Sequence, residues 1–331
     1  MPVFLTLTEF NQSDRCKHFS CPERSVSPAV YVLLYVCSAA VVLLTVCGNL
    51  LVIISVFHFK QLHTRTNTLV LSLTMSDFLV GAFVMPPMLS WTIESCWIFG
   101  RGFCICFLLV GGFLIILSIY NVAFIAVDRY LALSNPFLYT STISRRTMCI
   151  VIYSNWSLSL LYNTVVFYFN GSFTGSVICP GECYVFLNDV LSVIDLIYSF
   201  IFPCSVIIIF YTLVFMIAKK HATAIRELNN HTRRKTQKKY SHTEKKAAKV
   251  LCILVAVFLV CLLPYFIYNL LGNVIELQTK TLHIVFIIIY LNSTINPFIY
   301  ALFYPWFRRC IKLIITLQIL NTDSALMNVL S

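Results

Sequence analysis

Residues 103–127 read FCICFLLVGGFLIILSIYNVAFIAV and meet the triplet Asp128-Arg129-Tyr130. The stretch carries no charge over twenty-five residues. As a helix rising 1.5 Å per residue it is about 37 Å long, enough to cross a hydrocarbon core of about 30 Å. Its reading as a membrane span decides the fold. Similar apolar stretches lie at 30–56, 67–89, 149–168, 190–217, 250–271 and 282–303, making seven in all. Composition agrees: 59% of the chain is hydrophobic and 11% charged, against about 25% charged in soluble domains. The sequence is therefore that of an all-α membrane protein. Residues 1–29 form a tail, 30–304 the bundle and 305–331 a second short tail. The longest polar gap, 218–249, is too short to build a catalytic domain with its own core. No apolar run follows a basic start in 1–29, so no cleaved signal peptide is expected, and the first span serves as anchor.

Charge sets the orientation. Nineteen of the 24 Lys and Arg fall in the loops after the first, third, fifth and seventh spans, eleven of them between Lys219 and Lys249. The positive-inside rule then places the N-terminus outside and the C-terminus in the cytoplasm. The net charge of +11 is a topology and lipid-surface signal. No base-stacking platform accompanies it, which excludes nucleic acid as a partner. Sequons Asn11-Gln-Ser and Asn170-Gly-Ser fall outside and are expected to carry glycans. Those at Asn155, Asn230 and Asn292 lie in spans or on the cytoplasmic side.

Seven of the fourteen Cys lie in spans and act as small apolar residues. Six lie outside: Cys16, Cys21, Cys96, Cys104, Cys179 and Cys183. An oxidising exterior favours disulfides among them, with fifteen connectivities open. Cys179-Pro-Gly-Glu-Cys183 has zinc-like spacing but reads better as disulfide cysteines, so no metal centre is expected there. Cys310 follows the last span among basic residues and is a candidate acylation site.

Two acids lie deep in spans. Asp195 sits in Leu187-Asn-Asp-Val-Leu-Ser-Val-Ile-Asp-Leu-Ile-Tyr-Ser-Phe-Ile-Phe-Pro203, and Asp77 in Met75-Ser-Asp-Phe-Leu79. A carboxylate at the bilayer centre costs about 2.5–3.5 kcal/mol, so each needs a partner or a task. Around Asp195 the candidate pocket residues are Tyr198, Tyr265, Phe266, Phe286 and Tyr290, whose rings would add cation–π attraction. Gly111 and Gly112 leave room on the third span, either for a ligand or for close helix approach.

Each span bears a landmark: Asn49; Asp77; Asp128-Arg129-Tyr130; Trp156; Pro203 with Tyr211; Pro264; and Asn296-Pro297-Phe298-Ile299-Tyr300. In this order and spacing they resemble the rhodopsin-like G-protein-coupled receptors. His58-Phe-Lys-Gln-Leu-His63, Glu94-Ser-Cys-Trp-Ile-Phe-Gly100, Ala301-Leu-Phe-Tyr-Pro-Trp-Phe-Arg308 and Ser324-Ala-Leu-Met-Asn328 are similar to the trace amine-associated receptors. The resemblance implies a seven-transmembrane helix bundle with a short amphipathic eighth helix. It implies a small amine as ligand and a stimulatory heterotrimeric G protein as partner, raising cyclic AMP.

It also assigns roles. Amine receptors usually carry an acid on the third span where this chain has Gly111, so the ammonium is expected on Asp195 of the fifth span. Asp77, Ser118, Asn292 and Ser293, with Asn49 and Asn296, align with an allosteric sodium pocket. Arg129 is expected to pair with Glu244 and lock the cytoplasmic ends. Ile119, Pro203 and Phe258 match a trio that repacks on activation, and Tyr211 and Tyr300 match tyrosines that swing inward. Cys104 is expected to bond Cys183, and Cys21 to bond Cys179, leaving Cys16 and Cys96 open. Leu262 stands where a Trp is usual on the sixth span, and Ile287 where an aromatic is common. Three other functions compete. A transporter would show an inverted repeat, and none is evident. An enzyme would need motifs that the chain lacks. A receptor for a neutral ligand would ignore the charge of Asp195.

Overall fold

A computed structural model describes residues 21, 27–171, 181–183, 187–231, 253, 255–268, 279–303, 305–321 and 324–329. Long apolar helices occupy Pro28–His58, Arg65–Glu94, Arg101–Ser134, Arg145–Phe169, Val190–Ile217 and Thr281–Leu302. A shorter apolar helix, Val255–Tyr268, supplies the remaining span. The fifth span continues as helix to His231. Two short helices flank the bundle, Pro136–Thr142 between spans three and four and Pro305–Ile315 after span seven. Helices suit lipid because every interior peptide group bonds within its own segment.

The ends are set by local chemistry. Thr64, Asn135, Ser144 and Asn188 each accept a backbone N–H from three residues ahead, at 2.9–3.2 Å. Proline fits the first turn, where its missing N–H costs nothing, as at Pro28 and Pro136. Inside the spans proline acts differently. Val80–Val84 and Leu196–Ile201 are widened turns. Each ends two residues before a proline, Pro86 (followed by Pro87) and Pro203. The Met85 N–H reaches back five residues to Val80, and that of Phe202 to Ile197. The rings cannot donate and they crowd the carbonyl four residues earlier, so the ladder relaxes to the wider spacing.

Small residues let the spans touch. A Cβ built on Gly48 would lie 2.9 Å from Cβ of Pro297, and one on Gly81 would lie 2.8 Å from the Thr45 methyl. The first span thus packs closely on the seventh and the second. Thr45 and Thr294 hydroxyls bond at 2.6 Å across the first of these seams.

The helix Pro305–Ile315 is amphipathic: Phe307 and Cys310 are buried and Arg308 and Arg309 exposed. The tail then folds back. Ser324 Oγ meets His58 Nε2 at 2.9 Å, and the Val329 N–H donates to Gln61 at 3.1 Å. Val329 closes a small cluster with Phe59, Leu62 and Cys310. This departs from the expected acylation site. The Cys310 thiol is wholly buried beneath Val329, and burial pushes its pKa up to about 11, so it is neither exposed nor nucleophilic. Val329→Asp puts a charge into that cluster. It is expected to raise maleimide labelling of Cys310, read by mass spectrometry, at least about tenfold, the equivalent of about 1.4 kcal/mol of docking.

Candidate ligand-binding site

Toward the end of the bundle that holds the disulfides, the third to seventh spans enclose a cavity of ≈ 120 Å³. An engineered cavity of about 150 Å³ admits benzene, so this one suits a small organic ligand. Of the residues expected to line it, Asp195, Gly112, Tyr265, Phe266, Phe286 and Tyr290 do so. Rings dominate the far wall: Tyr265 lies 6.1 Å from Phe286, which stacks on Tyr290 at 6.2 Å.

Gly111 and Tyr198 are corrected. A Cβ on Gly111 would meet the Tyr290 hydroxyl at 2.8 Å. The space that this glycine leaves is filled by the seventh span, not kept for a ligand. The Tyr198 ring stacks on Tyr162 with centroids 4.0 Å apart, and its carbonyl accepts the Tyr120 hydroxyl at 2.9 Å. It packs against the third and fourth spans. The widened turn that begins at Leu196 explains this. It carries the residue three places beyond Asp195 off the pocket face and brings Ser199, four places beyond, onto it.

Asp195 is half-buried and held from two sides. Ser199 Oγ donates to Oδ1 at 2.7 Å and Tyr162 Oη donates to the same oxygen at 3.1 Å. Among the described residues no basic side chain pairs with this carboxylate. The two hydroxyls offset part of the cost of a charge in low dielectric. Neither was legible as a site residue beforehand. Ser199 could have been found by its spacing from Asp195. Tyr162 lies on the fourth span, whose rotation nothing in the chain announces. Asn163, also in the wall, lies against Gly112, where an added Cβ would sit 2.8 Å from its Oδ1.

Deeper in the bundle, Asp77 is buried. Ser293 donates to its Oδ1 at 2.8 Å and Asn296 to its Oδ2 at 2.7 Å. Asn49 donates to the carbonyls of Thr45 and Ser293. Ser118 Oγ, Asn292 Oδ1 and Asn49 Oδ1 are buried without a hydrogen-bond partner among the described residues. An acid together with unpaired oxygens is the donor set that a hard cation takes.

At the other end, Asp128 accepts hydroxyl bonds from Thr66 and Tyr139, each at 2.6 Å, and Arg129 Nε lies 4.0 Å from its Oδ2. Burial first, then the bond to Asp128, pushes Tyr139 up to about 12, so it remains a donor at neutral pH. Tyr139 stands on the short helix Pro136–Thr142, whose Phe137 is 87% exposed. Glu244 lies outside the described residues, and with it the expected pair to Arg129. Tyr130 packs on Phe210 at 5.2 Å. Ile119, Tyr211 and Phe258 are buried in one apolar cluster, and Leu262 shares it. Pro203 is buried too. Tyr300 packs with Val52, Val56 and Phe307.

At the mouth, Cys104 bonds Cys183 with Cα atoms 5.6 Å apart. Trp97 N–H donates to Gly181 at 2.7 Å beside it. Cys21 departs from expectation. Its partner is Cys96, at a Cα separation of 5.3 Å, and not Cys179. The left-handed turn at Ser95 ends the second span and presents Cys96 to the N-terminal segment. Cys179 and the expected glycan site Asn11 lie outside the described residues. Asn170, the other sequon, caps the fourth span and accepts the Asn188 N–H at 3.1 Å.

Comparison with known proteins places this architecture. Residues 48–300 match the family model of the 7 transmembrane receptor (rhodopsin family). The chain is 37% identical to trace amine-associated receptor 13c of Danio rerio, covering 98% of each chain. It is 38% identical to trace amine-associated receptor 6 of Homo sapiens over 94% of this chain and 93% of that one. It is 35% identical to trace amine-associated receptor 1 of Macaca mulatta over 93% and 95%. With seven spans, a disulfide at the mouth and matches over nearly its whole length, the chain belongs to the rhodopsin family of seven-transmembrane receptors, among the trace amine-associated receptors, and is a receptor and not an enzyme.

Proposed function

We propose that this receptor detects small amines carrying one cationic nitrogen, which binds Asp195 while the apolar body lies against Tyr265, Phe286 and Tyr290. The observation that carries the reading is a carboxylate lining an aromatic cavity with no cation of the protein beside it among the described residues. A charge of that kind inside a membrane span is retained for a partner. A cation gains about 0.5–2 kcal/mol more from the facing rings. The relatives' names point to the same ligand chemistry. Among the described residues Asp195 is the one acid in the cavity wall, so a second ammonium would meet no second carboxylate there.

The receptor resides in the plasma membrane with its N-terminus outside, as the basic loops support. It couples to a heterotrimeric G protein of the stimulatory class through the basic 218–249 loop and the exposed Phe137. The test is a panel of monoamines, diamines and matching neutral alcohols on cells that express the receptor with a cyclic AMP reporter. Monoamine responses with silent alcohols are expected. Equal responses to the alcohols would replace the amine reading with a neutral ligand.

A sodium ion held by Asp77, Ser118, Asn292 and Ser293 fits the unpaired oxygens there. Bound, it would supply positive charge that steadies the inactive packing. Raising sodium is expected to lower agonist affinity several-fold, about 1 kcal/mol of coupling. Asp77→Asn should abolish the dependence, as read by radioligand competition in sodium against potassium buffer.

A further inference from the structure

The grip on Asp195 has a direction. Both hydroxyl bonds, from Tyr162 and Ser199, fall on Oδ1. Among the described residues no donor reaches Oδ2. Tyr162 is itself braced: its ring stacks on Tyr198 at 4.0 Å and 24°, Tyr120 packs on Tyr198 at 5.3 Å, and the Tyr120 hydroxyl bonds the Tyr198 carbonyl. Three tyrosines, from the third, fourth and fifth spans, stand behind the carboxylate.

We propose that Tyr162 is a positioning residue for amine recognition: from outside the cavity it fixes the Asp195 carboxylate so that Oδ2 is presented to the ammonium. The proposal rests on the amine reading above and adds to it a residue of the fourth span. A hydrogen bond to a charged group holds orientation as well as energy. With Tyr162→Phe the carboxylate keeps Ser199 but can rotate, and the amine must order it on binding. The stacked ring is retained, so packing is not the variable.

The experiment is a double-mutant cycle in full-length receptor, with surface level measured by an N-terminal epitope. Isopentylamine, cyclohexylamine and 2-phenylethylamine are the probes and cyclic AMP the readout. Tyr162→Phe is expected to raise the half-maximal amine concentration about tenfold, the worth of one hydrogen bond to a charge, at unchanged surface level. In the Asp195→Asn background it should shift nothing further. Should Asp195→Asn be silent in cells, the amine-induced rise in melting temperature of purified receptor is compared instead. Tyr162→Phe must then shrink that rise by more than it lowers the ligand-free value. Equal shifts in both backgrounds, or lost surface level with unchanged potency, would make Tyr162 a bridge between spans and overturn the proposal. An Asp195→Asn receptor that responds normally would overturn the amine reading and this one with it.

Discussion

Asp195→Asn is expected to weaken amine agonists about 100-fold or more, because stripping one partner from a buried charge pair costs about 2–5 kcal/mol and each 1.4 kcal/mol is tenfold. Asn keeps the volume of the acid and a side-chain oxygen that Tyr162 and Ser199 can still reach. What it removes is the charge. An ammonium that leaves water for the cavity then meets a dipole, and its desolvation goes uncompensated. The reading of Asp195 as a strut between spans four and five makes a different forecast. In that case Asn, which preserves the acceptor, should leave potency within a few-fold and show its effect in surface level. Dose–response curves normalised to surface receptor separate the two. A neutral alcohol of the same shape is the internal control: silent on the native receptor, it should stay silent when residue 195 loses its charge.

Much of the architecture was legible before any coordinate. Membrane spans announce themselves by length and lack of charge, because lipid tolerates little else, and all the expected stretches that fall in described residues are helical. Depth was legible too for Asp195, which lies eight residues, about two helical turns, before Pro203. Rotation was not. Counting at 3.6 residues per turn puts Tyr198 below Asp195 on the same face. The widened turn at Leu196–Ile201 breaks that count and exchanges Tyr198 for Ser199. The fourth span offers no such count at all, and Tyr162 and Asn163 went unseen. Cysteine pairing failed for another reason: the assignment of Cys21 to Cys179 came from resemblance, and six cysteines leave many connectivities open. Where the chain turns at Ser95 decides it for Cys96.

Gly111 carries the second large effect, and its sign depends on a partner. Alanine in place of glycine inside a helix is ordinarily favourable by about 1 kcal/mol. Here the new methyl would lie 2.8 Å from Tyr290 Oη and 3.6 Å from Val84. Tyr290 is buried and stacked on Phe286, so its ring can yield only by shifting as a whole toward the cavity and loosening that stack. Overpacking of this kind costs about 1–3 kcal/mol. Gly111→Ala should therefore lower the melting temperature of the purified receptor, by about 2–4 °C for each kcal/mol of net loss. Gly111→Val, with two further methyls, should lose more and reach the surface poorly. Tyr290→Phe removes the offending oxygen and nothing else. In that background Gly111→Ala is expected to raise the melting temperature, since the helix gain remains and the clash is gone. A reversal of sign between the two backgrounds cannot come from a glycine that serves as ligand space, because a methyl there would act the same way on the empty receptor whether or not residue 290 carries a hydroxyl. If Gly111→Ala behaves alike in both, the seventh span does not fill the gap and the cavity extends to the third-span backbone. The ammonium could then approach from that side as well as from Asp195.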